Sequence, residues 1–374
     1  MFRVLMNPFV SAATPVRYVA FAACAATSIV VAACGQPEPP PAATAAPVER
    51  PLRLYVSDET GGNIVVVDAS SGEIVQRAAV GKRPRGLRVS RDGTNLLVAL
   101  SGSPIAGPGV DESKLPPPDR AADGIGVVSL PAMSVLKILR SGPDPETFDA
   151  SLDGRLAFVS NEDAAKMTAI DVVTGEIRAE VPVGGEPEGV KVRPDGRVVY
   201  VTCEETSEVF AVDTTTFAVV ARIKVGSRPR DIVFTPDSAL GFVTDENDGT
   251  VSVIDTKSHT VTKAIAFPAP AAADAIPARP MSAVLSPDAR HLYVSLGRAR
   301  SIGVIDVANL AFLRTINDVG VRPWGIDISP DGRTLFTANG PSGDVSIIDI
   351  ASGTVRTRVA TGGSPWGVVV APAR

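Results

Sequence analysis

The sequence predicts an all-β fold: a seven-bladed β-propeller of four-stranded antiparallel blades. Three observations predict it. A Pro-centred motif recurs at Pro84, Pro145, Pro187, Pro229, Pro280, Pro323 and Pro365, at intervals of 61, 42, 42, 51, 43 and 42 residues. A basal period near 42 marks a propeller or solenoid. Each period holds four short runs rich in Val, Ile, Phe and Thr, such as RDIVFTP, ALGFVTD, GTVSVIDT and TVTKAIAF, with no helical pattern between them. The chain opens on three such runs, LRLYVSDE, NIVVVDAS and EIVQRAAV, and closes on one, SPWGVVVAP. With strands lettered a to d from the channel outward, the N-terminal strands b, c and d are predicted to pair with the C-terminal a strand. That closes the ring and hides the sheet edges.

Ahead of the propeller, Arg3 and Arg17 precede an apolar run at 18–33, YVAFAACAATSIVVAA. It is short for a bilayer span and has the form of an export signal. Val31-Ala32-Ala33-Cys34 resembles the lipobox of bacterial lipoproteins. The resemblance implies a signal peptide over 1–33, cleavage before Cys34 and lipid on its sulfur and new amino group. Ordinary signal cleavage beside an incidental Cys is the alternative. Gly35, where an Asp is absent, favours the outer membrane in a Gram-negative host. With Cys34 itself, the Pro- and Ala-rich stretch up to 51 reads as a tether. The propeller then runs from 52 to 374, with insertions at 101–123 and 268–278.

Formal charge is −5 and pI about 5.3, so non-specific binding to nucleic acid or an anionic membrane surface is disfavoured. The expected membrane contact is the lipid anchor alone, on a monomeric domain at the periplasmic face. Cys24 leaves with the signal and Cys34 is taken by lipid, so Cys203 in VVYVTC has no partner and is expected to be a buried, inert thiol.

Two Asp columns repeat with the blades. One follows the first turn (Asp92, Asp153, Asp195, Asp237, Asp288, Asp331) and one closes the third strand (Asp68, Asp171, Asp213, Asp255, Asp306, Asp349). Their repetition argues for carboxylates that bond backbone in turns.

YVSDETGGNIVVVDASSGEIV, FVTDENDGTVSVIDTKSHTV and the VG-x-x-P joints resemble YVTN-type β-propeller repeats. The resemblance covers nearly the whole mature chain. Within it, the GKRPRG start and the long SGSPIAGPGVDES loop look like exported propellers associated with PQQ-dependent catabolism, which are similar to haem d1-type propeller domains. This implies a periplasmic quinoprotein dehydrogenase or cytochrome as partner, with PQQ or haem associated only through it. No cofactor is expected on the chain itself. The tryptophan repeat that supports PQQ is missing, there is no CxxCH for c-type haem, and His259 and His291 fall in turns at the bottom.

If the repeat builds a scaffold, function lies where the repeat varies. In this strand order the d–a and b–c loops share one face, the top. The residue after each Pro reads Arg85, Glu146, Glu188, Arg230, Met281, Trp324 and Trp366; the residue before reads Arg83, Asp144, Glu186, Arg228, Arg279, Arg322 and Ser364. Acids cluster on two neighbouring blades, joined by Glu162, Asp163, Glu204 and Glu205 of the b–c loops. The opposite arc carries Arg228, Arg230, Arg279, Arg322, Trp324, Trp366, Lys82, Arg83 and Arg85. Basic groups beside two aromatics suit an anionic or carboxylate-bearing ligand. The same residues also suit ion pairs across blades and aromatic packing between them. Deeper, the fourth residue after each Pro is predicted to face the channel: Arg88, Asp149, Lys191, Val233, Val284, Asp327 and Val369. Asp111 and Glu112, in the 101–123 loop, are candidates for partner docking.

The leading expectation is a non-catalytic, tethered propeller whose top face binds a partner protein or small anionic ligand. The alternatives are a lactonase-like hydrolase with a carboxylate or metal site at the channel mouth, with Glu146, Glu188, Glu204 and Asp245 as first suspects, or a surface adhesion module.

Overall fold

The structure, a computed structural model, describes residues 50–105, 114–268 and 276–374. The signal segment, Cys34, Asp111 and Glu112 lie outside the described residues. The propeller lies within one compact unit, Glu49–Arg374.

Seven four-stranded antiparallel sheets surround a central channel. Blade 1 is the closure blade. Its a strand is Pro365–Pro372, and its b, c and d strands are Leu52–Asp58, Asn63–Asp68 and Ile74–Ala79. Leu54 pairs with Val370 and Tyr55 with Val369, so the two ends of the propeller meet in one sheet as the sequence predicts. Blades 2 to 7 begin with the a strands Pro84–Val89, Pro145–Ala150, Pro187–Val192, Pro229–Phe234, Ala283–Leu285 and Pro323–Ile328. Blade 6 departs from the expected start at Pro280. Its a strand is cut to three residues where it follows the 268–278 insertion.

The core lies between the blades. Tyr55 and Ile64 of blade 1 pack on Leu96 and Val98 of blade 2, and Tyr293 and Val304 of blade 6 pack on Ile326 and Leu335 of blade 7. Middle strands are therefore buried on both faces, as in Val198–Cys203. Outer strands such as Ser134–Leu139 face solvent over most of their length. The two Asp columns behave as the repeat implies. Asp213 Oδ1 accepts from the N–H groups of Thr215 and Thr216, and Asp92 Oδ1 accepts from Thr94 N–H and Ser90 Oγ. These bonds stabilise the ionised form. They hold Asp92 down to about 2 and Asp213 below its ordinary value.

Candidate functional site at the channel mouth

One local device sets most of the side chains at the mouth. In blades 2, 3, 4, 5 and 7 the a–b pairing slips just after the Pro, as between Pro187↔Cys203 and Val190↔Val201. A bulge re-aims the residue that follows the Pro toward the mouth. A hydroxyl on five of the b strands then staples the mouth residue of the next blade. Thr202 Oγ1 accepts from Gly189 N–H (2.8 Å) in its own blade and donates to the Arg230 carbonyl (3.0 Å) in the next. Ser57, Ser160, Thr244 and Ser295 donate in the same way to the carbonyls of Arg85, Glu188, Met281 and Trp324. Gly189 must be small, because a Cβ there would meet the Arg230 carbonyl oxygen at 2.4 Å. The residue before the Pro is left-handed and not Gly in five blades: Arg83, Asp144, Glu186, Arg228 and Arg322, with φ between 40° and 59°. Such positions cost about 1 kcal/mol or more each and persist only where surroundings fix them. Here the b–c loops do so. Glu162, Glu204 and Glu246 N–H groups bond the carbonyls of Asp144, Glu186 and Arg228, each at 3.0 Å.

The mouth holds two charge clusters. In the first, Arg85 is 3% exposed and pairs with Asp144, Glu146 and, at 3.8 Å, Glu162. Burial works to raise Asp144, but Arg85 and Ser101 hold it below its ordinary value; burial keeps Glu162 above its own. The carboxylates of Asp144, Glu146 and Glu162 lie within 4.8 Å of one another, a spacing that would suit a cation. The Arg85 guanidinium already fills that place. These residues do not fit a metal ion, and the metal version of the hydrolase reading finds no site here.

In the second cluster, Arg230 pairs with Glu204, with Glu188 at 3.5 Å and with Glu246 at 2.7 Å, while Arg228 reaches Glu204 at 2.7 Å. Glu188 and Glu204 are buried side by side. Burial, then the neighbouring Glu188, pushes Glu204 up to about 9, with Arg230 and Arg228 opposing. Burial also raises Glu188 itself, with Arg230 opposing. Burial thus favours the protonated form of both carboxyls, while Arg230 pulls each toward the ionised form.

Beside this pair stands an aromatic wall. Trp324 and Trp366 stack with centroids 5.9 Å apart at 17°. Arg230 and Arg322 lie over the Trp324 ring at 5.3 and 4.3 Å. Among the described residues, Arg322 has no ion-pair partner. Burial, outweighing the attraction of Glu246, holds its guanidinium below the ordinary arginine value, and Arg230 adds to this. The central cavity, about 360 Å³, is lined by Glu188, Arg230, Trp324 and Trp366 and, deeper, by Arg88, Lys191, Asp231 and Asp327.

The sequence-predicted residues thus fall into distinct surroundings. Arg230, Trp324 and Trp366 line the cavity, while Arg322 lies over the Trp324 ring and Arg228 pairs with Glu204. Arg85 is enclosed in ion pairs with the acids it was expected to face across the ring. Arg83 bonds Glu59 (2.8 Å) and the Ser103 carbonyl (2.8 Å), tying down the start of the long loop, and Arg279 bonds Asn247. Asp245 is buried against Thr250 and Ser252, apart from the cavity lining. Cys203 is fully buried, and burial pushes its thiol up to about 12. Sequence reasoning missed Asp231 in the channel, Glu246 on Arg230 and the hydroxyl staples. The staples were visible as the Ser or Thr of YVSD, FVSN, YVTC, FVTD and YVSL.

Fold and site together define a seven-bladed propeller with a charged, aromatic-walled mouth. Residues 191–372 match the model of the YNCE-like beta-propeller family, which bears out the resemblance to a propeller-repeat family. No curated protein matches the chain in sequence. Among solved structures it is similar to the periplasmic gluconolactonase PpgL of Pseudomonas aeruginosa, at 20% identity and TM-score 0.70, over 86% of this chain and 99% of that one. It is similar to hydrazine synthase of Kuenenia stuttgartiensis, at 21% identity and TM-score 0.67, over 80% and 92%. The dihydro-heme d1 dehydrogenase NirN matches at 17% identity and TM-score 0.58, over 82% and 63%.

The expectation of a non-catalytic module is corrected by these findings. A gluconolactonase is among the structures sharing this architecture, and the mouth carries a buried carboxyl pair that sequence reading had set behind partner docking.

Proposed function

We propose that the chain is a lactonase-like hydrolase that opens small hydroxylated lactones at the top mouth of the channel. One observation carries the reading: Glu188, in the wall of the cavity, and Glu204 behind it are both buried and both paired with Arg230. Lactone opening needs a base for the attacking water, a cation for the developing oxyanion and an acid for the leaving alkoxide. Glu188 lines the cavity and is the base. Glu204 holds a proton through neutral pH and is the acid reservoir behind it. Arg230, in the cavity wall, faces the carbonyl oxygen. Trp324 and Trp366 offer an apolar wall to the C–H face of a sugar ring. The gluconolactonase similarity supports the substrate class.

The test is proton release from glucono-δ-lactone in a pH-stat, corrected for spontaneous opening. Wild type should turn over, and Glu188→Gln should lose about 10²–10⁴-fold in kcat. A wild-type rate equal to buffer alone overturns the reading.

We also read the chain as exported and tethered through Cys34. The Arg-led apolar run and the small residues before Cys34 support this. Among the described residues no helix is long and apolar enough to cross a membrane. Association with a PQQ-dependent oxidation fits the same chemistry. Oxidation of a cyclic hemiacetal yields a lactone, and a lactonase consumes it.

A further inference from the structure

The hydrolase reading leaves one cavity group unused. Lys191, in the a strand Pro187–Val192, lines the channel below Glu188. Among the described residues, none makes a hydrogen bond to its ammonium or an ion pair within 4.0 Å of it. The acids nearby are committed elsewhere. Asp149 pairs with Arg88 at 3.1 Å and accepts from Ala150 and Val192 N–H. Asp231 accepts from Ile232 and Ala283 N–H, and Asp327 from Ile328 and Val370 N–H. Arg88 lines the same cavity, so two cations share a confined space whose walls include Val233, Val284 and Val369.

We propose that Lys191 is an imine-forming lysine, whose ε-amine condenses with a small aldehyde or ketone admitted to the channel. A confined amine beside a second cation is the arrangement that activates lysine nucleophiles. The Arg88 charge, and then burial, lowers Lys191 below the ordinary lysine value; Asp149, Asp231 and Asp327 oppose this without cancelling it. Glu188 and Arg230 stand above at the mouth. In the reaction the amine nitrogen adds to the carbonyl carbon and the adduct loses water. The carbonyl oxygen leaves with two protons and a C=N bond remains, with no net oxidation. Asp231 and Asp327 line the cavity as proton sources, and burial has raised Asp327 to about 6. The inference does not rest on lactone hydrolysis.

The experiment treats the folded protein at pH 7 with propanal and cyanoborohydride, which reduces the imine to a stable propyl-lysine. Peptide mapping then gives a labelling rate for each lysine. Lys191 should label several-fold faster than exposed Lys257 and Lys263, since a lysine held below its ordinary value carries more free amine at pH 7. In Arg88→Met, checked for native circular dichroism, the Lys191 rate should fall several-fold while Lys257 is unchanged. A Lys191 rate equal to or below that of Lys257 in wild type overturns the proposal. An unchanged Lys191 rate in folded Arg88→Met overturns the activating role of Arg88. Neither outcome depends on turnover of a lactone, so the two readings fail separately.

Discussion

Replacing Thr202 by Val tests the device that positions the mouth. The side chain is fully buried and Val is close to it in shape. The substitution removes the acceptor of Gly189 N–H (2.8 Å) and the donor to the Arg230 carbonyl (3.0 Å). Two backbone groups are orphaned between blades 4 and 5. Each costs about 1–3 kcal/mol when left buried and unpaired, so the loss is about 2–6 kcal/mol. Unfolding entropy of about 2.1 cal/mol/K per residue over the propeller converts this to a fall in Tm of roughly 3–9 °C. Thr202→Ser keeps the hydroxyl and loses one methyl, worth about 1 kcal/mol. Calorimetry of the three proteins separates the terms. The Val variant should also lose lactone turnover, because Arg230 and Glu188 hang on the stapled segments. Val as stable as wild type, or Ser as damaged as Val, would refute the staple.

Other expectations follow from the same contacts. Arg85→Met leaves Asp144, Glu146 and Glu162 without their cation, at a cost of about 3–5 kcal/mol at pH 7. Those acids would then titrate higher folded than unfolded. Their folded form binds extra protons, so the penalty should shrink as pH falls toward 4, which melts at pH 7 and pH 5 can check. The turn aspartates have the opposite sign. Depressed in the fold, as Asp92 is to about 2, they contribute stability above pH 4 that is lost as pH falls toward 2, so circular dichroism should show cooperative acid unfolding in that window. Cys203, buried and with its thiol near 12, should resist a thiol reagent until the protein unfolds. Deleting 365–374 removes the a strand paired with Leu52–Asp58 and should give aggregated protein by light scattering.

Blade number, ring closure and both Asp columns were legible because each is written at a fixed period, and repetition itself marks them as scaffold. The inward set was also legible by strand alternation. Arg88, Lys191 and Asp327 all reach the cavity, four residues after their Pro. Asp231 escaped notice because it lies only two residues after Pro229, inside the bulge, where alternation no longer applies. The same bulge hid the pairing of Arg85 with Asp144 and Glu146. In sequence these lie some sixty residues apart on adjacent blades, and their contact depends on how far each mouth residue leans sideways. The acidity of Glu204 was illegible for a different reason. It comes from burial and the neighbouring Glu188, against the pull of Arg230, and a loop glutamate in a sequence carries no sign of its depth.

The central claim is that Glu188 and Glu204 act as base and acid in lactone hydrolysis. The most direct test is the pH dependence of kcat/KM for glucono-δ-lactone, from pH 5 to pH 10, with the spontaneous rate subtracted. The pair predicts activity through neutral pH with an alkaline limb near 9, set by loss of the Glu204 proton. Glu204→Gln should abolish that limb and lower the plateau. A profile unchanged by Glu204→Gln, or no rate above the spontaneous one, would contradict the account.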